Sequence, residues 1–357
     1  MRAIPRPAPR STPQPIARIA SCLVAPARRA ERRAIRAVAV LAAAATVLAA
    51  GGPAFAQAWP AKPIRLVVPY APGGATDIIG RATATELTRL LGQPVTVDNR
   101  PGAGGNLGAE LVANSPPDGY TMLVSASSLH GITPFLYSKL RYDPNKDLAP
   151  VIVLASFANV LVVNKNVKAN TVGELIDLIK AAPDRFAFAS SGSGSTIHMS
   201  GEMFKGQAKL PSLVHVPYKG SGPAITDLIG GQVQLMFDNI PSAVGHVRAG
   251  TLKALATTGA KRSRTFPDLP TMKEAGLPDY EATAWFGIVV PAGTPADVVA
   301  RINEAGQKAV QSPEFVKRMG DLGYDVVGGT SAQMASMIQD EYKRWGPVVK
   351  ASGAKVD

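Results

Sequence analysis

An α/β fold in two domains is what this sequence predicts, on three observations. Short β-branched runs alternate with helical stretches over about three hundred residues, a length that supports two cores of ordinary size. The apolar passage from Val151 to Val163 is too long for one strand and is interrupted at Ser156 to Asn159, as expected of two strands joined where the chain crosses between domains. Small-residue turns that close a strand and open a helix occur twice, at Pro72 to Asp77 and at Ser190 to Thr196. One such turn on each domain is what a two-walled anion cleft requires.

The first fifty-six residues stand outside that pattern. Arg28, Arg29, Arg32, Arg33 and Arg36 precede an alanine-rich apolar run from Ala37 to Ala50, and Ala54-Phe55-Ala56 offers the small residues that a signal peptidase reads. The reading is a secretory signal cleaved before Gln57; an uncleaved anchor is the alternative, for which the apolar run is short. Nine arginines against Glu31 carry +8 of the formal +12, which leaves +4 on the mature chain. The basic charge is therefore mostly the leader's, and no nucleic-acid partner is expected: Lys261, Arg262 and Arg264, the densest remaining basic cluster, read as a solvated loop. The single cysteine, Cys22, leaves with the leader, so the mature chain has no disulfide and no thiolate chemistry.

Taken in order, the mature chain opens with the strand Ile64, Leu66, Val67 and Val68, broken by Pro69 and Pro72. Gly73 and Gly74 then let backbone approach a ligand, and Thr76 or Asp77 can cap the next helix. A strand, a glycine pair and a helix N-terminus make an anion seat, although the same residues also suit a plain tight turn. Strands follow at Val95 to Val97 and Thr121 to Ser125, the latter ending in the polar turn Ser125-Ala126-Ser127-Ser128. Thr171 and Glu174 have capping-box spacing ahead of a helix with Leu175, Leu178 and Ile179 on its buried stripe. The strand Phe186 to Ala189 runs into the serine loop, with a helix from about Ile197. Leu213 to Pro217, Leu235 to Asp238 and Leu252 to Thr257 are strands separated by helical pieces at Pro223 to Ile229 and Ser242 to Ala249. Tyr280 to Pro291 is extended and returns to the first domain. Thr294 caps, Pro295 and Asp297 open a helix with Val298, Val299, Ile302, Ala305 and Ala309 on one face, and a last helix covers Ala332 to Trp345.

Enzyme signatures are weak. No serine in the Ser190 to Ser195 run has glycine two residues on each side, so the nucleophile-elbow pattern fails. His130, His198, His215 and His246 lack metal-ligand spacing, the phosphate-loop lysine motif is missing, and Gly102 and Gly104 would need a glycine at Leu107 to match a dinucleotide fingerprint. No catalytic residue, metal or cofactor is expected. His198 either faces a ligand or is a satisfied helix-face group, and Asp238 is either a pocket carboxylate or part of the turn Asp238-Asn239-Ile240-Pro241. A secreted α/β enzyme acting on a carboxylate is the alternative to a binding protein, and it lacks an activated nucleophile.

Several motifs stand in a familiar order: Trp59-Pro60-Ala61-Lys62-Pro63-Ile64, Pro72-Gly73-Gly74-Ala75-Thr76-Asp77, Arg100-Pro101-Gly102-Ala103-Gly104-Gly105, Pro117-Asp118-Gly119-Tyr120-Thr121, and Val216-Pro217-Tyr218-Lys219-Gly220 followed by Gly231-Gln232-Val233. In these, the whole mature chain resembles the solute-binding receptors of tripartite tricarboxylate transporters, the Bug family. The resemblance implies a periplasmic Venus-flytrap fold, each domain a mainly parallel sheet flanked by helices, with a small organic carboxylate between domains and membrane permease subunits as partners. It places Tyr70, Pro72, Gly73, Gly74 and Thr76 on one wall, Ser127 beside them, and Ser191, Ser193, Ser195 and Thr196 on the other. Asp77 pins the first loop, and Tyr218 and Asp238 border the far end. The expected organisation is a signal peptide at 1–56, a discontinuous first domain at 57–158 and 284–357, a second at 159–283, and a monomer.

Overall fold

A computed structural model of the chain describes residues 59–356, together with residues 34 and 36–39 in a helical piece. The expected cleavage site at Ala54-Phe55-Ala56 and Cys22 lie outside the described residues. No helix among the described residues is long and apolar enough to cross a membrane.

The first sheet portion grows from β1 (Ile64–Val68), which pairs in parallel with β2 (Val95–Asn99) and β3 (Thr121–Ala126). Ile64, Leu66, Val67 and Val68 are all fully buried, the near-continuous apolar burial of a parallel strand covered on both faces. Helix α1 (Ala75–Leu91) covers one face with Ile79, Ala82 and Leu87. The glycine loop after β2 leads to α2 (Asn106–Ala113). The polar turn after β3 closes into two short helices, α3 (Ser127–Gly131) and α4 (Thr133–Leu136).

The passage expected to form two strands is one: β4 (Leu148–Asn164) runs unbroken for 17 residues. What changes along it is its partner. Up to Ala158 it pairs antiparallel with β9 (Thr283–Pro291), and from Asn159 with β7 (Leu235–Asn239) and β8 (Leu252–Thr257). The residues Ser156 to Asn159 mark this exchange: Ala158 is still opposite Thr283 of β9 and Asn159 is already opposite Asn239 of β7, so the strand need not end. The second portion continues from β7 to β5 (Ala187–Ser190) and β6 (Val214–Pro217), both pairings parallel. The sheet order is therefore β2-β1-β3-β9-β4-β7-β5-β6, a parallel triplet at each end and antiparallel pairing through the connecting strands.

Alternation along β4 feeds two cores in the second portion. Val160 and Val162 face Ile197, Ile225, Met236 and Val244, whereas Leu161 and Val163 face Phe188, Phe204, Phe237 and Tyr280. The flanking helices there are α5 (Val172–Ala181), α6 (Thr196–Gln207), α7 (Ser221–Gly230) and α8 (Ile240–Arg248). Thr171 caps α5 by accepting from the Glu174 amide at 3.2 Å, while the Glu174 carboxylate accepts from the Asn170 amide at 2.7 Å.

After β9 come α9 (Ala296–Gln311), α10 (Pro313–Asp321), β10 (Asp325–Gly328) and α11 (Ser331–Ser352). Thr294 does not cap α9: its hydroxyl donates to the Pro291 carbonyl at 2.7 Å, and Pro295 occupies the cap position. Helix α11 outruns its expected end at Trp345, because Trp345 and Val349 are buried in the core around Phe188 while Met334 and Ile338 pack beside Val67 and Trp285. One helix thus straps both sheet portions.

Candidate functional site

The carboxyl ends of β1, β3, β5 and β7 meet at one cavity. Tyr70, Gly74, Ala75 and Thr76 line it from the β1 loop, Ala126 and Ser128 from β3 and α3, Ser191, Ser195 and Thr196 from the serine loop. Ser221, Asn239 and Phe286 complete the wall. Its volume is about 20 Å³, room for about one water, because the two walls touch. The Ala71 amide donates to the Lys219 carbonyl at 2.8 Å across the opening.

Four helices, α1, α6, α7 and α8, begin at this cavity. The first N–H groups of a helix have no intrahelical acceptor and carry the positive end of its dipole, so the convergence favours an anion without any cationic side chain. No lysine or arginine lines the cavity among the described residues. The hydroxyls of Thr76, Ser191 and Thr196 make no hydrogen bond within the described chain and are open to a ligand. The others are committed: Ser195 caps α6, accepting from the His198 amide at 3.1 Å and donating to the Gly192 carbonyl at 2.7 Å. Ser221 donates to Asp238 at 2.7 Å.

The first loop is braced from behind. Gly74 occupies the cap of α1 with no side-chain cap, and neither Thr76 nor Asp77 supplies one. Asp77 instead accepts from the Gly73 amide at 3.1 Å, from Asn99 at 2.9 Å and from Arg81 at 3.0 Å. Burial pushes its carboxyl up, but these donors outweigh burial and hold it below the usual carboxylate range. Gly73 has φ +88°, the left-handed region that glycine enters without strain. Tyr70 donates to the Gly104 carbonyl at 2.9 Å, and burial raises its phenol to about 12, so it stays a protonated donor.

Of the residues expected at the site, Tyr70, Gly74, Thr76, Ser191, Ser195 and Thr196 meet at the cavity, and the others stand back from it. Pro72 and Gly73 shape the loop, Pro72 presenting its carbonyl and Gly73 its Cα towards Gly222. Ser127 is fully buried and its hydroxyl accepts from the Trp285 amide at 3.4 Å, leaving the cavity to Ser128. Ser193 contributes its carbonyl to Tyr137 at 2.9 Å. Tyr218 donates to Asp227 at 2.7 Å. Asp238 is fully buried behind the wall, held by Ser221 and by Ser242 at 2.6 Å, and burial raises it to about 6 against both bonds.

His198 is a satisfied internal group: Nδ1 accepts from the Gly194 amide at 3.2 Å and the ring stacks on His215 at 4.1 Å. Ser125, His130 and Asn145 form a chain at 2.9 and 3.0 Å that resembles a nucleophile and base, but Ser125 and His130 are fully buried beneath Trp285 and reach no cavity. No group of three metal-ligating side chains occurs among the described residues. Ala75, Ala126, Ser128, Ser221, Asn239 and Phe286 were not expected. For Ser221 and Asn239 a signal existed, since each opens a helix directly after a strand or turn, as in the serine loop.

Two sheet portions joined by crossing strands, with a small closed cavity where their helix N-termini converge, define the periplasmic-binding-protein class of fold. Residues 79–354 match the family described as "Tripartite tricarboxylate transporter family receptor", and the chain belongs to that family. Protein BugT of Bordetella pertussis is 40% identical over 306 residues, 85% of this chain and 93% of that protein. Among solved structures, Rpa4515 of R. palustris with adipate is 36% identical with a TM-score of 0.81, covering 84% of this chain and all of that one. MatC from Rhodopseudomonas palustris with bound malate is 35% identical with a TM-score of 0.79, covering 82% of this chain and all of that one. The family consists of substrate-binding receptors, not enzymes.

Proposed function

We propose that this chain is a periplasmic receptor, monomeric and exported by a cleaved signal at residues 1–56, that captures a small organic carboxylate and delivers it to the permease subunits of a tripartite tricarboxylate-type transporter. The observation that carries the reading is the convergence of four helix N-termini and three uncommitted hydroxyls on one cavity that no lysine or arginine among the described residues lines. Such a seat stabilises a carboxylate through fixed dipoles and hydroxyl donors. Similarity to proteins solved with adipate and with malate supports the same ligand chemistry.

The working parts follow. Thr76, Gly74 and the first amides of α1 form one wall, and Ser191 and Thr196 form the other; Asp77 and Tyr70 hold the first wall in place. The domains are 57–158 with 284–357, and 159–283. The partner exchange between Ala158 and Asn159 and the start of β9 at Thr283 support those boundaries.

A thermal-shift screen of the protein lacking residues 1–56 against small mono-, di- and tricarboxylates tests the function. A ligand at a hundred times its Kd adds about 2.7 kcal/mol to apparent stability. A clear rise in Tm with at least one carboxylate is expected, and a flat response across the set overturns the reading.

A further inference from the structure

We infer that the seat binds its carboxylate together with a proton, which Asp238 takes up from solvent as the ligand enters. This deepens the carboxylate-receptor reading and rests on it.

Asp238 is fully buried near the carboxyl end of β7, one residue before the cavity residue Asn239. Its Oδ1 accepts from the Ser221 hydroxyl at 2.7 Å, and Ser221 lines the cavity. The Ser221 Cβ and amide nitrogen face Gly74, 3.3 and 3.4 Å from where a Cβ on that glycine would lie. A single serine thus stands between a buried carboxyl and the seat. The other partners of Asp238 are the Ser242 hydroxyl at 2.6 Å and the Asn239 amide, neutral donors like the first.

The elements packed around Asp238 supply no counter-charge. Strands β4 and β5 carry no titratable residue. On α7, Asp227 is held by Tyr218; on α8, His246 and Arg248 lie in the last turn, away from Asp238. On α6, Glu202 stands beside His198 and Lys205, and on α1, Asp77 and Arg81 pair with each other. Tyr324, which faces both Asp77 and Asp238, donates its hydroxyl to the Ala75 carbonyl.

Two carboxylates that share a buried site with no cation between them do not both stay ionised, and a proton meets the second charge. The ligand carboxylate has the helix N-termini of both walls, whereas burial already raises Asp238 to about 6 against its three donors, so Asp238 is the group that protonates. The proton also turns a hydrogen bond round. An ionised carboxyl only accepts and so holds the hydroxyl hydrogens of Ser221 and Ser242, but a carboxylic acid donates to one of them. With the proton on Oδ1, the Ser221 hydrogen is released to another acceptor. Neutralising the wall leaves the ligand fully ionised, so the device serves mono- and dicarboxylates alike.

The test is titration calorimetry on the protein lacking residues 1–56 with adipate, malate, succinate and glutarate. Runs in phosphate and in Tris, buffers of different ionisation enthalpy, count the protons taken up. At about pH 7.5 the wild type is expected to take up more than about half a proton per acid bound, with Kd weakening about three- to tenfold from pH 7 to pH 8. Asp238→Asn should show no uptake and a Kd that is level over that range, with its melting temperature as the check on folding. A second readout needs no variant: infrared difference spectra of protein carrying isotope-labelled aspartate should show a protonated aspartate band appearing with the bound acid. Binding without proton uptake, or without that band, overturns the inference and leaves the receptor reading standing. Uptake that persists in folded Asp238→Asn also overturns it and assigns the proton elsewhere, with His198, His215 and Glu202 the nearest alternatives. No binding of any of the four acids overturns the inference, and the receptor reading then stands or falls by the thermal-shift screen.

Discussion

Gly74 has an ordinary extended backbone, φ −87°, and its importance lies in what stands opposite: a Cβ there would meet Ser221 at 3.3 Å. Gly74→Val is therefore expected to abolish carboxylate binding by filling the seat and holding the walls apart, with little loss of Tm. Gly73→Ala, at φ +88°, should instead lower stability by about 1 kcal/mol or more through backbone strain. A melt and a titration on each variant separate the two roles, and Gly74→Val binding normally would remove this loop from the site. The hydroxyls divide in the same way. Ser191→Ala or Thr196→Ala removes an uncommitted donor and should weaken binding by about 1.5–3 kcal/mol, the range for hydrogen bonds to charged groups, at unchanged Tm. Ser195→Ala should mainly cost stability, about 1 kcal/mol, because that hydroxyl caps α6. Calorimetry finding wild-type affinity in both Ser191→Ala and Thr196→Ala would leave the serine loop a plain turn. Such residues were legible because a small-residue run after a strand is a local signal. Ser128 and Phe286 were not, since only packing between distant strands brings them to the cavity.

Among the elements, strand and helix order could be read from apolar period and turn chemistry, and the exceptions have physical causes. The β4 passage looked like two strands because Ser156 to Asn159 interrupt it, but a strand ends only when its ladder does, and here one partner replaces another. Helix α10 and strand β10 were missed: α10 is short, and β10, with Asp325 and Val327 exposed, lacks a strand's full apolar run. The loop contacts of α7 could not be read from sequence either, yet they carry a prediction. Gly222 sits inside the first turn of α7, and a Cβ there would lie 2.4 Å from the Pro72 carbonyl oxygen. Alanine favours a helix over glycine by about 1 kcal/mol, so Gly222→Ala should be as stable as the wild type or more so. It should nonetheless resist apposition of the two walls and weaken ligand by the reduced population of the closed arrangement. Small-angle scattering is expected to show compaction on adding ligand to the wild type and little in Gly222→Ala. Equal compaction and equal affinity in both would mean that the walls meet elsewhere.

At the scale of the whole molecule, the buried titratable groups set how stability responds to acid. Burial depresses His130 to about 4, His198 to about 4 and His215 to about 3. The unfolded chain takes up protons near pH 6.5, where these native imidazoles stay neutral, so acid favours the unfolded state and stability falls as pH drops from about 6.5 towards 4. At pH 5 each amounts to about 2 kcal/mol in magnitude by linkage, the stacked pair somewhat less than twice that because the two rings, 4.1 Å apart, would share their penalty. Asp238 acts in the opposite sense. With its carboxyl raised to about 6, the native state binds the proton first, and stability from this group increases as pH falls from about 6 to 4, by about 1 kcal/mol at pH 5. Glu202 and Glu341, whose carboxyls burial also raises, act in the same sense as Asp238, but the three imidazoles at about 2 kcal/mol each set the sign, so the Tm is expected to drop between pH 7 and pH 5. Asp77, held below the usual carboxylate range, contributes stability above the ordinary carboxylate pKa that is lost only as pH falls through its depressed value, well beneath this window. Asp238→Asn should therefore steepen the decline between pH 6 and 5, because it deletes the opposing contribution, and His198→Asn should flatten it. Scanning calorimetry of the three proteins across pH 5 to 7.5 checks both slopes. A wild-type Tm that rises on acidification would mean that the imidazoles are protonated in the folded protein, and with it the neutral acceptor that His198 presents to the Gly194 amide behind the serine loop would be lost.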